Sequence, residues 1–146
     1  MNAAEWWDNV RACAKELQTA RAELYVLEKY GKASGGSSGA KGTVGDPTCA
    51  QALEIHHARL KLEATAGYCS AVLNDAHTAL DRLAHMTEPR TACVMRLYYI
   101  EGLTNSEVAH RLHLTKRRVQ QLKAETLQLC DDVGMGHMIR GWSYES

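Results

Sequence analysis

The stretch GLTNSEVAHRLHLTKRRVQQLKAETL, residues 102–127, decides how the chain is read. Thr104 is followed three residues later by Glu107, the spacing of a capping box that starts a helix. Val108, Ala109 and Leu112 then share one face. His113–Leu114 reads as a short turn, and Thr115 as the N-cap of a second helix. That second helix carries Lys116, Arg117, Arg118, Gln120, Gln121 and Lys123 around two apolar anchors, Val119 and Leu122. A helix that lies in a DNA major groove while keeping a foothold in a core needs this composition. The stretch therefore reads as a helix-turn-helix.

A helical wheel of about 100° per residue gives each side chain a direction. With Val119 and Leu122 inward, Arg117, Gln121 and Ala124 point away from the core, and Gln120 lies close beside them. Lys116, Arg118 and Lys123 fall on the flanks. Arg can read guanine bidentately and Gln can read adenine, whereas flank cations suit phosphates. The competing reading is a solvated basic helix in an ordinary bundle.

Charge distribution supports nucleic acid. The 146 residues sum to zero net charge, but unevenly. Residues 1–88 carry a net of −2, residues 89–123 a net of +5, and residues 124–146 a net of −3. A neutral total thus hides one basic island, the electrostatic footprint that nucleic acid requires. Abundant Ala and Leu, no Phe and only two Pro point to an all-α chain.

Upstream, Trp6, Val10, Cys13, Leu17, Ala20, Leu24 and Leu27 follow alternating four- and three-residue steps. This predicts a helix over 3–30 with a coiled-coil-like seam, ending at Gly31. Trp6 and Trp7 read as apolar caps at one end of a hairpin or dimer, or as a ligand-stacking pair. Residues 31–46 hold six Gly and three Ser, a flexible loop spanning roughly 20–24 Å. Asp46-Pro47 opens a second long helix to about residue 86. Its main stripe runs Ile55, Leu62, Ala66, Cys69, Leu73, Ala76, Leu80 and Leu83. A weaker stripe runs Leu53, Leu60, Ala64, Gly67 and Ala71. Two stripes imply two neighbours, and Gly67 implies a close backbone approach by one of them.

Thr87-Glu88-Pro89 breaks this helix and starts another. Over 89–101, Cys93 or Val94, Leu97 and Ile100 share a face, with Tyr98 and Tyr99 at the edge or within reach of a phosphate. Past Cys130, Asp131-Asp132 and Gly134/Gly136 end the last helix. The remaining tail has no period; Trp142 and Tyr144 either dock locally or stay loose.

The expected organisation is a helical hairpin and oligomerisation arm (1–86, loop 31–46), a helix-turn-helix module (87–132) and a tail (133–146). The five Cys are scattered without a CxxC, as in reduced cytosolic proteins. His56, His57, His77 and His85 do not combine with carboxylates or Cys at ligand spacing, and His110 and His113 read as surface residues. No cofactor or metal is expected. Neither a signal core nor an 18-residue apolar run is present, so no membrane contact is expected. No catalytic constellation stands out, so an enzyme is the weakest class.

RTACVMRLYYIEGLTNSEVAHRLHLTKRRVQQLKAETLQL, residues 90–129 and about a quarter of the chain, resembles region 4 of sigma-70-family factors. The resemblance implies that Lys116, Arg117, Gln120 and Gln121 face promoter bases, the set that the wheel selects. Arg118, Lys123, Arg111 and Arg90 are the phosphate candidates. The whole layout, with GGSSGAKGTVGDPTCAQALE as loop and helix start, is similar to small phage late-transcription regulators of the RinA/ArpU type. Nothing resembles sigma region 2, and Arg117 stands where primary sigma factors carry an acidic residue. The implied partners are double-stranded DNA and bacterial RNA polymerase, in a cytoplasmic homodimer or higher oligomer. The rival readings are a small-terminase-like DNA-packaging subunit and a polymerase-binding adaptor.

Overall fold

The computed structural model describes residues 1–38 and 45–140, with side chains described outside 30–48 and 141–146. Among the described residues every regular element is helical. The order is α1 (Ala3–Ser38), α2 (Gly45–Met86), α3 (Pro89–Met95), a π-helical turn (Arg96–Ile100), α4 (Asn105–Leu112), α5 (Lys116–Val133) and α6 (Met135–Arg140). The sequence thus predicted two long helices followed by a helix-turn-helix, and this is what forms.

Two boundaries move. α1 does not stop at Gly31 but continues to Ser38. A Gly in a helix costs about 1 kcal/mol, but propagation adds a hydrogen bond per residue once the helix exists. α2 begins at Gly45, which leaves Pro47 in the first turn, where its missing N–H costs nothing. The centre of the expected Gly/Ser loop, residues 39–44, lies outside the described residues, as do Trp142 and Tyr144.

The chain divides into two compact units. One comprises Met1–Lys15 with Ser70–Ser146, the other Glu16–Cys69. The expected boundary between residues 86 and 87 falls inside the first.

In the Glu16–Cys69 unit, Arg59 pairs with Glu28 at 2.7 Å and Lys61 with Glu23 at 3.4 Å. The pairs ascend on one helix as they descend on the other, so the two segments run antiparallel. Both pairs are well exposed and contribute little individually. Leu17, Ala20, Ala58 and Cys69 are buried. The second stripe of α2 is not covered: Leu53 and Leu60 are 56% and 50% exposed. Gly67 is exposed too, with no atom within 4 Å of where a Cβ would sit. The close approach expected at Gly67 is therefore absent among the described residues.

The other unit is built around Trp7. Ala3, Trp7 and Val10 of α1 pack with Ala76, Ala79, Leu80 and Leu83 of α2, Met95, Tyr99, Cys130 and Met138. Trp7 is fully buried, edge-on to Trp6 (4.9 Å between centroids) and tilted against Tyr99 (5.4 Å). The expected seam began at Trp6, but Trp6 is only half-buried. Further along that seam, Val10, Cys13, Leu17 and Ala20 are buried as expected, and Ala3, Trp7 and Ala14 join them on the inward face, because the start of α1 meets the C-terminal elements as well as α2. Met138 of α6 closes this core with no exposure. Residues 135–140 of the expected loose tail are therefore a docked helix. Asp131 accepts a 2.8 Å hydrogen bond from the Ala3 N–H, satisfying an otherwise orphaned donor at the start of α1.

Removing the indole tests this shared core. Trp7→Ala is expected to cost about 3–5 kcal/mol and to lower hydrogen-exchange protection of the α4 and α5 amides as well as those of α1. Retained protection in α4 and α5 would refute the shared core.

Candidate nucleic-acid interface

A second, smaller core lies under the helix-turn-helix. Val94, Leu97, Val108, Ala109, Val119 and Leu122 are all buried in it. One short segment, residues 94–99, serves both cores, and a π-helical turn lies within it. The Glu101 N–H reaches the Arg96 carbonyl at 3.0 Å, five residues back rather than four. Val94 and Leu97 face the helix-turn-helix core, while Met95 and Tyr99 face the Trp7 core. Ile100, expected on the Leu97 face, packs against the Trp7 core instead. Tyr99 is 3% exposed, and burial, followed by the nearby Asp8 charge, pushes its phenol well above the ordinary range. The alternative of Tyr99 reaching a phosphate is thereby excluded.

α4 begins at the capping box. Glu107 N–H donates to Thr104 Oγ1 at 3.2 Å, and Thr104 N–H donates to Glu107 Oε1 at 2.9 Å. The Thr104 backbone bond, then the side-chain bond, hold the Glu107 carboxyl below its ordinary value. α4 ends at His113, whose φ of 58° lies in the left-handed region. Gly102, at φ 77°, makes the preceding corner. Thr115 then caps α5, its Oγ1 accepting the Arg118 N–H at 3.0 Å.

Beyond that cap the surface is as the wheel requires. Lys116, Arg117, Gln120 and Gln121 are all exposed, whereas Val119 and Leu122 beneath them are buried. The structure brings these four onto one outward face. Arg118 is exposed and reaches Gln121 Oε1 at 3.5 Å, a long bond within one turn. It also borders a groove with Thr87, Glu88, Thr91 and Glu125. Arg111 sits at the end of α4, 3.9 Å from Glu101, which Arg96 also approaches at 3.8 Å. Pairs this exposed hold weakly and give way to a phosphate. Arg90 is exposed in the first turn of α3.

Lys123 differs from the other phosphate candidates. Its ammonium donates to Asn105 Oδ1 at 2.8 Å and lies 3.3 Å from the centroid of the Tyr98 ring. Burial, and then the Arg11 charge, lower its pKa. Arg11, on α1, had no signal in the sequence beyond a charge on a helix. Its guanidinium stacks on Tyr98 at 4.0 Å. It donates to the Tyr98 carbonyl and, at 3.2 Å, to the Leu103 carbonyl. These oxygens lie in the π-helical turn and the corner after it, where regular helical pairing ends. Arg11 thus fastens the start of α1 to the entrance of the helix-turn-helix, with Tyr98 between two cations.

Comparison with known proteins matches this geometry. Residues 77–130 match the family model described as Sigma-70, region 4. The match runs from the end of α2 through α3, the π-helical turn and α4 to Cys130 in α5. The segment is a region-4-like helix-turn-helix of the DNA-binding kind. No curated protein and no solved structure matches the chain. Among the described residues no helix is long and apolar enough to cross a membrane.

Two local features give testable outcomes. Glu107 has a folded pKa below its unfolded value near 4.5, so its share of stability is present above that value and is lost as pH falls through the folded one. Urea midpoints measured from about pH 5 to about pH 3 should fall less steeply in Glu107→Gln, which keeps the box but not the charge. At the turn, His113→Gly removes the Cβ penalty of a left-handed residue. It should raise stability by up to about 1 kcal/mol in thermal melts.

Proposed function

We propose that this chain is a sequence-specific DNA-binding transcription regulator, an activator of phage or prophage late genes that works with the host RNA polymerase in the cytoplasm. The observation that carries the DNA-binding part is the exposed face of Lys116, Arg117, Gln120 and Gln121 immediately past a capped helix start, over the buried pair Val119 and Leu122. The late-gene part rests on the layout of two long helices before a region-4-like module.

The N-terminal turns of α5 enter the major groove. Arg117 and Lys116 present cationic donors to guanine edges, and Gln120 and Gln121 offer paired amide groups to adenine. Arg118, Arg111 and Arg90 neutralise phosphates and set the register, which makes affinity fall steeply with salt. Lys123 works from beneath: its bond to Asn105 ties α5 to α4 and fixes the angle at which α5 is presented. The shared core and Arg11 hold that presentation rigid, which base reading requires. Contact with polymerase comes from acidic surface outside the basic island.

Selection of bound sequences from a random DNA pool tests the reading directly, with enrichment of a defined site expected. On that site Arg117→Ala should cost about 1–3 kcal/mol and relax one base position, leaving random-DNA affinity nearly unchanged. Arg118→Ala should weaken both alike and lower the slope of log K against log salt by about one. Equal losses of Arg117→Ala on selected and random DNA would remove its base-reading role. No enrichment at all would favour a packaging subunit or an adaptor.

A further inference from the structure

The face of α2 that the chain leaves uncovered has a pattern of its own. Leu53, His57, Leu60, Ala64 and Gly67 recur at seven-residue intervals in two interleaved rows, on a strip about 80° wide. All five are exposed. The buried residues Ala58 and Cys69 point to the opposite side of the helix, so among the described residues this strip faces no packing partner. Large and small residues along it are segregated. The N-terminal half carries Leu53, His57 and Leu60; the C-terminal half carries Ala64 and Gly67.

We propose that this strip pairs with the same strip of a second copy, antiparallel, about a two-fold axis level with residue 62. In that register Leu60 lies against Ala64 of the second copy, and His57 against its Gly67. Leu60 and His57 each meet a small residue, and each contact occurs twice, as an isologous interface demands. A parallel pairing would set Leu60 on Leu60 and Gly67 on Gly67, crowding one end and leaving a void at the other. Charge follows the same symmetry. Glu63 borders the strip on one side, and Arg59 lies further round the helix on that same side. The antiparallel register brings each Arg59 within a turn of the other copy's Glu63, extending the Glu28–Arg59 pair at 2.7 Å. Gly67, which weakens α2 and admits no neighbour from its own chain, acquires a role: it receives the imidazole of His57. Dimerisation on α2 leaves the base-reading face of α5 free, so this proposal and the DNA-binding reading fail or hold separately.

Sedimentation equilibrium of the full chain at several concentrations tests it. The expected result is a reversible monomer–dimer equilibrium that dissociates on dilution. Leu60→Ala opens a gap and Ala64→Leu crowds Leu onto Leu, so each should weaken dimerisation about tenfold or more. Leu60→Ala with Ala64→Leu exchanges large and small within the pair, and should restore dimerisation. Both sites are exposed, and unchanged circular dichroism would confirm intact helices. A monomer at all concentrations, tightening by Ala64→Leu alone, or no rescue in the double variant would each overturn the proposal.

Discussion

The burial of the Trp7 indole between α1, the end of α2, the π-helical turn and α5 is the contact on which the described DNA-binding unit depends. A side chain of this size, fully removed from water, supplies one of the largest apolar contributions available to a small core. It also sets direction. Tyr99 packs against one side of it, Cys130 on α5 belongs to the same buried cluster, and the buried indole N–H has no hydrogen-bond partner among the described residues. Burial pushes the Cys130 thiol up, so it stays neutral at that position. The base of the first helix is therefore part of the helix-turn-helix unit, although ninety residues of sequence separate them.

The polar layer over this core has the same effect. Arg11 reaches the carbonyls of Tyr98 and Leu103, Lys123 reaches Asn105, and both cations lie over the Tyr98 ring. Two cations on one ring would repel strongly in isolation. They are held because Arg11 also satisfies backbone carbonyls where regular helical pairing ends, and Lys123 the side-chain oxygen of Asn105. The Tyr98 carbonyl that Arg11 reaches lies in the π-helical turn, and the Leu103 carbonyl in the corner after it.

Function follows from what this rigidity leaves outside. Lys116, Arg117, Gln120 and Gln121 have no role in packing, so their side chains are available to a ligand, while the helix that carries them is fixed on its opposite face by Val119 and Leu122. Specific base reading needs that combination, because hydrogen bonds to base edges tolerate little error in position. Lys123, by sequence another basic residue on the same helix, falls on the other side of this division. The one-residue resolution of a helical wheel placed it on a flank, and only Tyr98 and Asn105 show which way the ammonium turns.

Short-range patterns were legible in the sequence. The capping box at Thr104 and Glu107, the Thr115 cap, the His113 turn, the Pro89 start and the main stripe of α2 each depend on residues within a turn or two, and all of them form. What the sequence alone did not determine was long-range. The inward place of Trp7 rather than Trp6, the burial of Tyr99, the docking of Met138 and the double duty of residues 94–99 depend on which distant elements meet. Periodicity reports that a face is apolar, not what covers it. Gly67 shows the same limit from the other side: the sequence marked a close approach, and the tertiary structure left that position open. A local pattern constrains φ, ψ and the direction of a side chain, whereas burial is a property of the whole packed unit. The sequence by itself therefore determined the helices and the exposed basic face of α5, and only the tertiary structure decided what holds that face in place.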